Sequence, residues 1–288
     1  MDIGKLEQIK KLAIIAIFSN DTLMENLVLK GGNALDIIYR IANRSSMDID
    51  FSMPKDLDLF SFSEKIQDNL IRTFKDHGFR VFDFKIKRKP QMANPSLPAF
   101  WGGYSINFKV VDSDLYNKLN KNIEALRRQS IEVGPNHKRI LSIEISKHEC
   151  CDQKVEKEIE GLAIYVYSPE MIVLEKLRSI CQQMPDYRIQ STPTPRARDF
   201  FDIYVVDNEY HLDLLCEKNL ELLRKIFDAK KVPLLLLSKI VKYKEFHKPD
   251  FHSVVDTVKP NVTLYDFEFY FNFVVELSMK LCQALGEE

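Results

Sequence analysis

Residues 30–51 read "KGGNALDIIYRIANRSSMDIDF". The preceding "LVLK" is apolar and strand-like, so Gly31 and Gly32 stand where a strand hands over to a helix, read from Gly32 to about Ala42. Glycine permits the backbone angles and close approach that such a turn needs. The turn also leaves N–H groups free at a helix N-terminus, where the peptide dipoles favour an anion such as phosphate. A tight turn with no ligand is the bland alternative. In "DIDFSM", Asp48 and Asp50 are two residues apart, so on a strand both carboxylates face one side while Ile49 and Phe51 face the other. Parallel carboxylates repel unless a cation lies between them, and hard oxygen ligands suit Mg2+ or Mn2+. A solvated edge strand, or an ion pair to Arg44, would also account for them. Together, a phosphate-binding turn, one helix and a D-x-D strand can hold a triphosphate between backbone amides and metal, as in-line nucleotidyl transfer requires.

The rest of the chain frames that stretch. Its 288 residues are long for a single core, so two domains are expected. With 45% hydrophobic and 29% charged residues, the composition is that of a soluble globular protein rather than a disordered one. A net charge of -1 gives no global basic field, so a nucleic-acid partner would have to be met by a local patch. The five cysteines are odd in number and form no C-x-x-C pair, which argues for reduced thiols and a cytoplasmic setting. The N-terminal "KKLAIIAIF" superficially resembles a signal peptide, but no small-residue cleavage site follows. Ile3, Leu6, Ile9, Leu12 and Ile15 recur at near-helical spacing, so a helix over 5–18 is expected. No run approaches the roughly 20 apolar residues of a membrane span.

Strands are expected at "FRVFDFKIKR", "YSINFKVV", "RILSIEIS" and "LAIYVYSP", with helices over 61–77 and 114–128 among them. After Ser168 helices dominate: 169–184, 198–206, 210–228, 232–246 and 264–285. The expected fold is therefore α+β, a mixed sheet with helices over 1–165 followed by a helical bundle over 166–288. In "RILSIEIS", Glu144 shares the polar side of the strand with Ser142 and Ser146. It is either a third acid of the site or an acid on a solvated face.

The string "KGGNALDIIYR...NRSSMDIDF" resembles the first motif of the AbiEii/AbiGii toxin-type minimal nucleotidyltransferases, whose GG or GS turn and R-x-S-x-D-I-D-F segment define a polymerase-β-like core. Arg44, Ser46, Asp48, Asp50 and Phe51 fill that pattern. "SPEMIVLEKLRSICQQM" is similar to the family's lysine-bearing helix, and "RARDFFDIYVV" to its R-D-x-x-D-I/L-Y segment, in the family's order. The resemblance implies a nucleoside triphosphate held by Lys30, Gly31, Gly32, Asn33, Arg44, Ser46 and Lys176. It also implies metal on Asp48, Asp50 and Glu144, and catalytic roles for Asp48, Asp50, Lys176 and Asp199. Asn33 stands where threonine is common in the family, a change that alters nucleotide contacts without removing a metal ligand.

Read from the residues alone, Lys176 has apolar Ile172, Val173 and Ile180 at helical spacing and needs an anionic partner, a phosphate or a carboxylate. Snorkelling to water, or an ion pair with Asp199 or Asp202, would also satisfy it. Asp199 matches the family's aspartate best, and Asp202 is the structural candidate.

Basic clusters lie at Lys85, Lys87 and Lys89, with Arg88 on the opposite face, and at Arg188, Arg196 and Arg198. They are either solvated faces or contacts for tRNA or another RNA, a partner the resemblance implies together with a cognate antitoxin. A protein or small-molecule acceptor, or an inactive nucleotide-binding module, are the competing readings.

Overall fold

The computed structural model describes residues 3–41, 48–90, 97–120, 122–134, 136–189, 192–259 and 262–286. Arg44 and Ser46 lie outside the described residues. The chain divides into two compact units, one of residues 1–38, 47–148 and 156–166, the other of 39–46, 149–155 and 167–288.

The first unit is built on a seven-stranded mixed sheet. Its strands are β1 (Val28–Lys30), β2 (Ile49–Met53), β3 (Phe79–Lys89), β4 (Gly103–Asp112), β5 (Leu141–Lys147), β6 (Lys154–Ile159) and β7 (Leu162–Tyr167), in the order β3-β4-β5-β2-β1-β7-β6. β2 runs antiparallel to β1 and parallel to β5. Alternation divides the central strands into two faces. Ile49, Phe51, Ile143, Ile145, Tyr104, Ile106 and Phe108 are buried on one, where Phe18 meets the Phe51 ring edge-on at 5.5 Å. The other carries Asp50, Ser52, Ser142, Glu144, Ser105 and Asn107. Helix Ile3–Phe18 packs against helix Ser63–Asp76 and is buried well beyond its expected stripe, including Ala13, Ile14, Ala16 and Ile17.

Several boundaries differ from those read in the sequence. The helix after the glycines starts at Gly31, widens into a π turn over Ala34–Ile38 and ends there rather than near Ala42. The expected 114–128 helix is two, Ser113–Lys118 and Ile123–Gln129, interrupted where Asn120 takes a left-handed conformation with φ 47°. β6 went unread because "KVEKEI" alternates charges with too few apolar residues to signal a strand.

The second unit is helical. Its longer helices are Pro169–Cys181, Ala197–Tyr210, Glu217–Asp228 and Phe267–Leu285. Ser168 caps the first, accepting the Met171 N–H at 3.3 Å, with Pro169 at the first helical position. The 210–228 segment begins as helix only at Glu217, after a left-handed His211 with φ 49°. The 232–246 segment is a chain of single turns instead of one helix. None of the five cysteines is in a disulfide.

Candidate active site

Strand register assembles the first unit's polar face. Lys30 on β1 is the direct partner of Asp50 on β2, Asp50 of Glu144 on β5, Glu144 of Ser105 on β4, and Ser105 of Lys87 on β3. Directly opposed residues point to the same side, so five strands present one transverse polar row with the two carboxylates adjacent at its middle. Gly31 follows Lys30 with φ +69°, a conformation glycine reaches without strain. A Cβ placed on Gly31 would lie 2.7 Å from Asp50 Oδ2, so the absent side chain is what lets the turn close onto the second aspartate.

Asp48 sits just before β2 rather than within it. Asn33, fully buried, donates from Nδ2 to the Asp48 carbonyl oxygen at 2.5 Å. That bond ties the end of the glycine turn to the backbone of the first aspartate. The Asp48 carboxylate is half-exposed and accepts from Lys138 Nζ at 3.0 Å. Lys138 is held by an antiparallel bridge to Gly134, and neighbouring Arg139 is anchored on Glu132 at 2.7 Å. Both Glu144 oxygens are engaged: Oε1 accepts from Ser105 Oγ at 3.0 Å, and Oε2 pairs with Lys89 Nζ at 2.5 Å. Gly103, opposite Lys89 in the register, puts no side chain between them.

The chemistry of this donor set suits a hard divalent cation. Asp48, Asp50 and Glu144 offer only hard carboxylate oxygens, which fit Mg2+ or Mn2+. As the side chains stand, no group of three or more such residues converges into a cage among the described residues, and ammonium groups rest on two of the three acids.

The second unit holds a different arrangement. Lys176, buried on helix Pro169–Cys181, donates from Nζ to Asp199 Oδ1 at 2.8 Å and to Asp202 Oδ2 at 2.7 Å. The sequence left Asp199 and Asp202 as alternatives; the lysine takes both. Arg196 Nε approaches Asp199 Oδ2 at 3.2 Å, outside hydrogen-bond alignment, so that oxygen has no hydrogen-bond partner.

The start of helix Ala197–Tyr210, which carries both aspartates, is capped from another segment. His247 Nδ1 accepts the Arg196 N–H at 3.0 Å, and Asp250 Oδ2 accepts the Ala197 N–H at 3.1 Å. Arg198 donates to Ser253 Oγ at 3.0 Å. Two of the three arginines of that loop cluster, Arg196 and Arg198, are thus engaged within the protein. No sequence pattern marked His247, because its role is set by residues 51 positions away.

The backbone bond to Nδ1 fixes the neutral His247 with its proton on Nε2, and burial pushes its pKa from 6.5 down to about 4 although Asp199 pulls the other way. Protonation therefore favours the unfolded chain. The stabilisation is complete above about pH 6.5 and is lost as pH falls toward 4, a loss of about 3 kcal/mol over that window. Urea unfolding at pH 7 and at pH 4.5 is expected to show a smaller acid loss in His247→Asn, whose amide oxygen can accept the same N–H. An equal loss would mean that this histidine does not titrate on unfolding.

The family described as nucleotidyl transferase AbiEii toxin, type IV TA system, matches residues 13–272. Among solved structures, the chain is similar to a candidate nucleotidyltransferase from H. pylori at 19% identity and a TM-score of 0.53, covering 100% of this chain and 98% of that one. JHP933 from Helicobacter pylori aligns at 19% identity and a TM-score of 0.51, covering 98% of this chain and 94% of that one. These likenesses show a shared fold. A comparison with curated proteins found no match. Among the described residues, no helix is long and apolar enough to cross a membrane.

Proposed function

We propose, since this chain belongs to the AbiEii family of nucleotidyltransferase toxins, that it moves a nucleoside monophosphate from an NTP to the terminal hydroxyl of an RNA, in the manner of a tRNA 3′ end. The observation that carries this reading is the direct register of Asp50 with Glu144 beside the Gly31 turn. Asp48, Asp50 and Glu144 would hold Mg2+ or Mn2+, which supplies Lewis-acid stabilisation of the triphosphate when bound. The Gly31–Gly32 turn and Lys30 would receive phosphate oxygens, with Asn33 holding Asp48 in place. Arg44 and Ser46, which belong to the same motif, are assigned to the nucleotide by that motif alone.

In the second unit, Lys176 and Asp199 are assigned to the same reaction, the lysine as a cation for developing phosphate charge and the aspartate as its orienting partner. Lys85 and Lys87 share the strand face that leads to Ser105 and Glu144, which suits an RNA backbone laid across the sheet. The family's toxin–antitoxin setting implies a cognate antitoxin and a cytoplasmic location.

The test is to incubate the protein with Mg2+ or Mn2+, each NTP labelled at the α-phosphate, and total RNA. Label on RNA ends is the expected result. Label on protein would replace the acceptor, and nucleotide binding without transfer under either metal would leave only a binding module.

A further inference from the structure

The carboxylates of the first unit's polar face are matched by ammonium groups to a degree that metal binding alone does not require. Lys138 stands on Asp48 at 3.0 Å and Lys89 on Glu144 at 2.5 Å, while Lys30 is the direct cross-strand partner of Asp50. Three acidic side chains thus face three basic ones. The two ion pairs join residues 90 and 55 positions apart, brought in by separate elements: a loop tied down through Arg139 and Gly134, and the end of β3 reaching past Gly103. Each Glu144 oxygen already carries a donor, so a cation there must share an oxygen with Ser105 or Lys89 or displace one of them.

Charge decides what such a patch retains. A bare divalent cation entering a neutral cluster must displace ammonium groups that then have no anion to pair with, and Coulomb repulsion opposes it. A cation that arrives on a triphosphate brings net negative charge, and its phosphate oxygens offer the displaced ammoniums new partners. We propose that Lys89 and Lys138 hold Glu144 and Asp48 against free divalent cation and yield them to a cation carried by a nucleoside triphosphate, whose phosphates then take the two ammonium groups. The two lysines are specificity-determining residues for the metal–nucleotide complex over the bare metal. This inference rests on the metal assignment made above.

Lys89 and Lys138 are about half-exposed, so glutamine at either position removes charge while leaving the core untouched. The experiment titrates Mn2+ into the full chain and follows free Mn2+ by its paramagnetic resonance signal, without nucleotide and then with a non-hydrolysable α,β-methylene NTP analogue. Without nucleotide, K89Q/K138Q is expected to bind Mn2+ about tenfold tighter than wild type, the order expected for removing two contacting cations from a partly solvated site. R88Q, which removes a charge from the opposite face of the same strand, where Arg88 pairs with Asp58, is expected to change it little. Adding the analogue should tighten Mn2+ binding strongly in wild type and weakly in the double variant.

If K89Q/K138Q gains nothing, the inference is overturned, and the metal assignment still stands provided that Asp50→Asn abolishes Mn2+ retention with the analogue. A gain that survives Asp50→Asn in the double-variant background would place the ion elsewhere and overturn both.

Discussion

Lys176→Met is expected to lower the stability of the protein by about 3–5 kcal/mol and to abolish nucleotidyl transfer. The ammonium bridges two buried carboxylates, Asp199 and Asp202, whose side chains are 13% and 4% exposed. Without it, two acids are left close together in a poorly solvated place, and one must take up a proton or the helices must part. Loss of activity in this single variant therefore says little about catalysis. The informative protein is K176M/D199N/D202N, in which no buried charge is left unpaired. Replacing a complete buried ion cluster by neutral groups is often close to neutral for stability. Urea unfolding should show most of the loss recovered, while transfer stays absent because the cation assigned to phosphate charge is gone. A triple variant with wild-type transfer would make the cluster a brace and nothing more.

Asp50→Asn is expected to leave the fold intact and to slow transfer on the order of a thousandfold, about 4 kcal/mol in activation free energy. Asparagine keeps the shape that packs against Gly31 and withdraws the charge from the middle of the row formed by Lys30, Asp50 and Glu144. Asp50 is the better test than Asp48. Asp48 is half-exposed and lies outside the strand, whereas Asp50 is fixed by pairing on both sides.

Much of this geometry could be read from local pattern. Alternation in "DIDFSM" and "RILSIEIS" set Asp50 and Glu144 on the polar sides of their strands, and Ser168–Pro169 marked the start of the lysine-bearing helix. Alternation gives a side but not a neighbour, so the adjacency of Asp50 and Glu144 became visible only through the β2–β5 register. Lys138 and Lys89 were illegible as partners of Asp48 and Glu144 for the same reason. Their contacts depend on a loop and a strand end that local sequence does not place. Asn33 is assigned to the nucleotide through the family motif, and local sequence gives no sign of its bond to the Asp48 carbonyl oxygen 15 residues on. An ammonium has three donors and the helix offers both acids on one face, so Lys176 pairs with Asp199 and Asp202 alike, which local sequence leaves as alternatives. The segment read as one helix over 232–246 is a series of short turns without side-chain caps, and the turn Lys244–His247 supplies His247.

The most direct measurement is the rate at which α-labelled NTP marks RNA ends with wild-type protein and with Asp50→Asn, at equal concentration and with matched thermal unfolding. Transfer by Asp50→Asn at about one part in a thousand of the wild-type rate is the predicted result. A folded Asp50→Asn protein that transfers label within about threefold of wild type, less than 1 kcal/mol in activation free energy, would contradict the account.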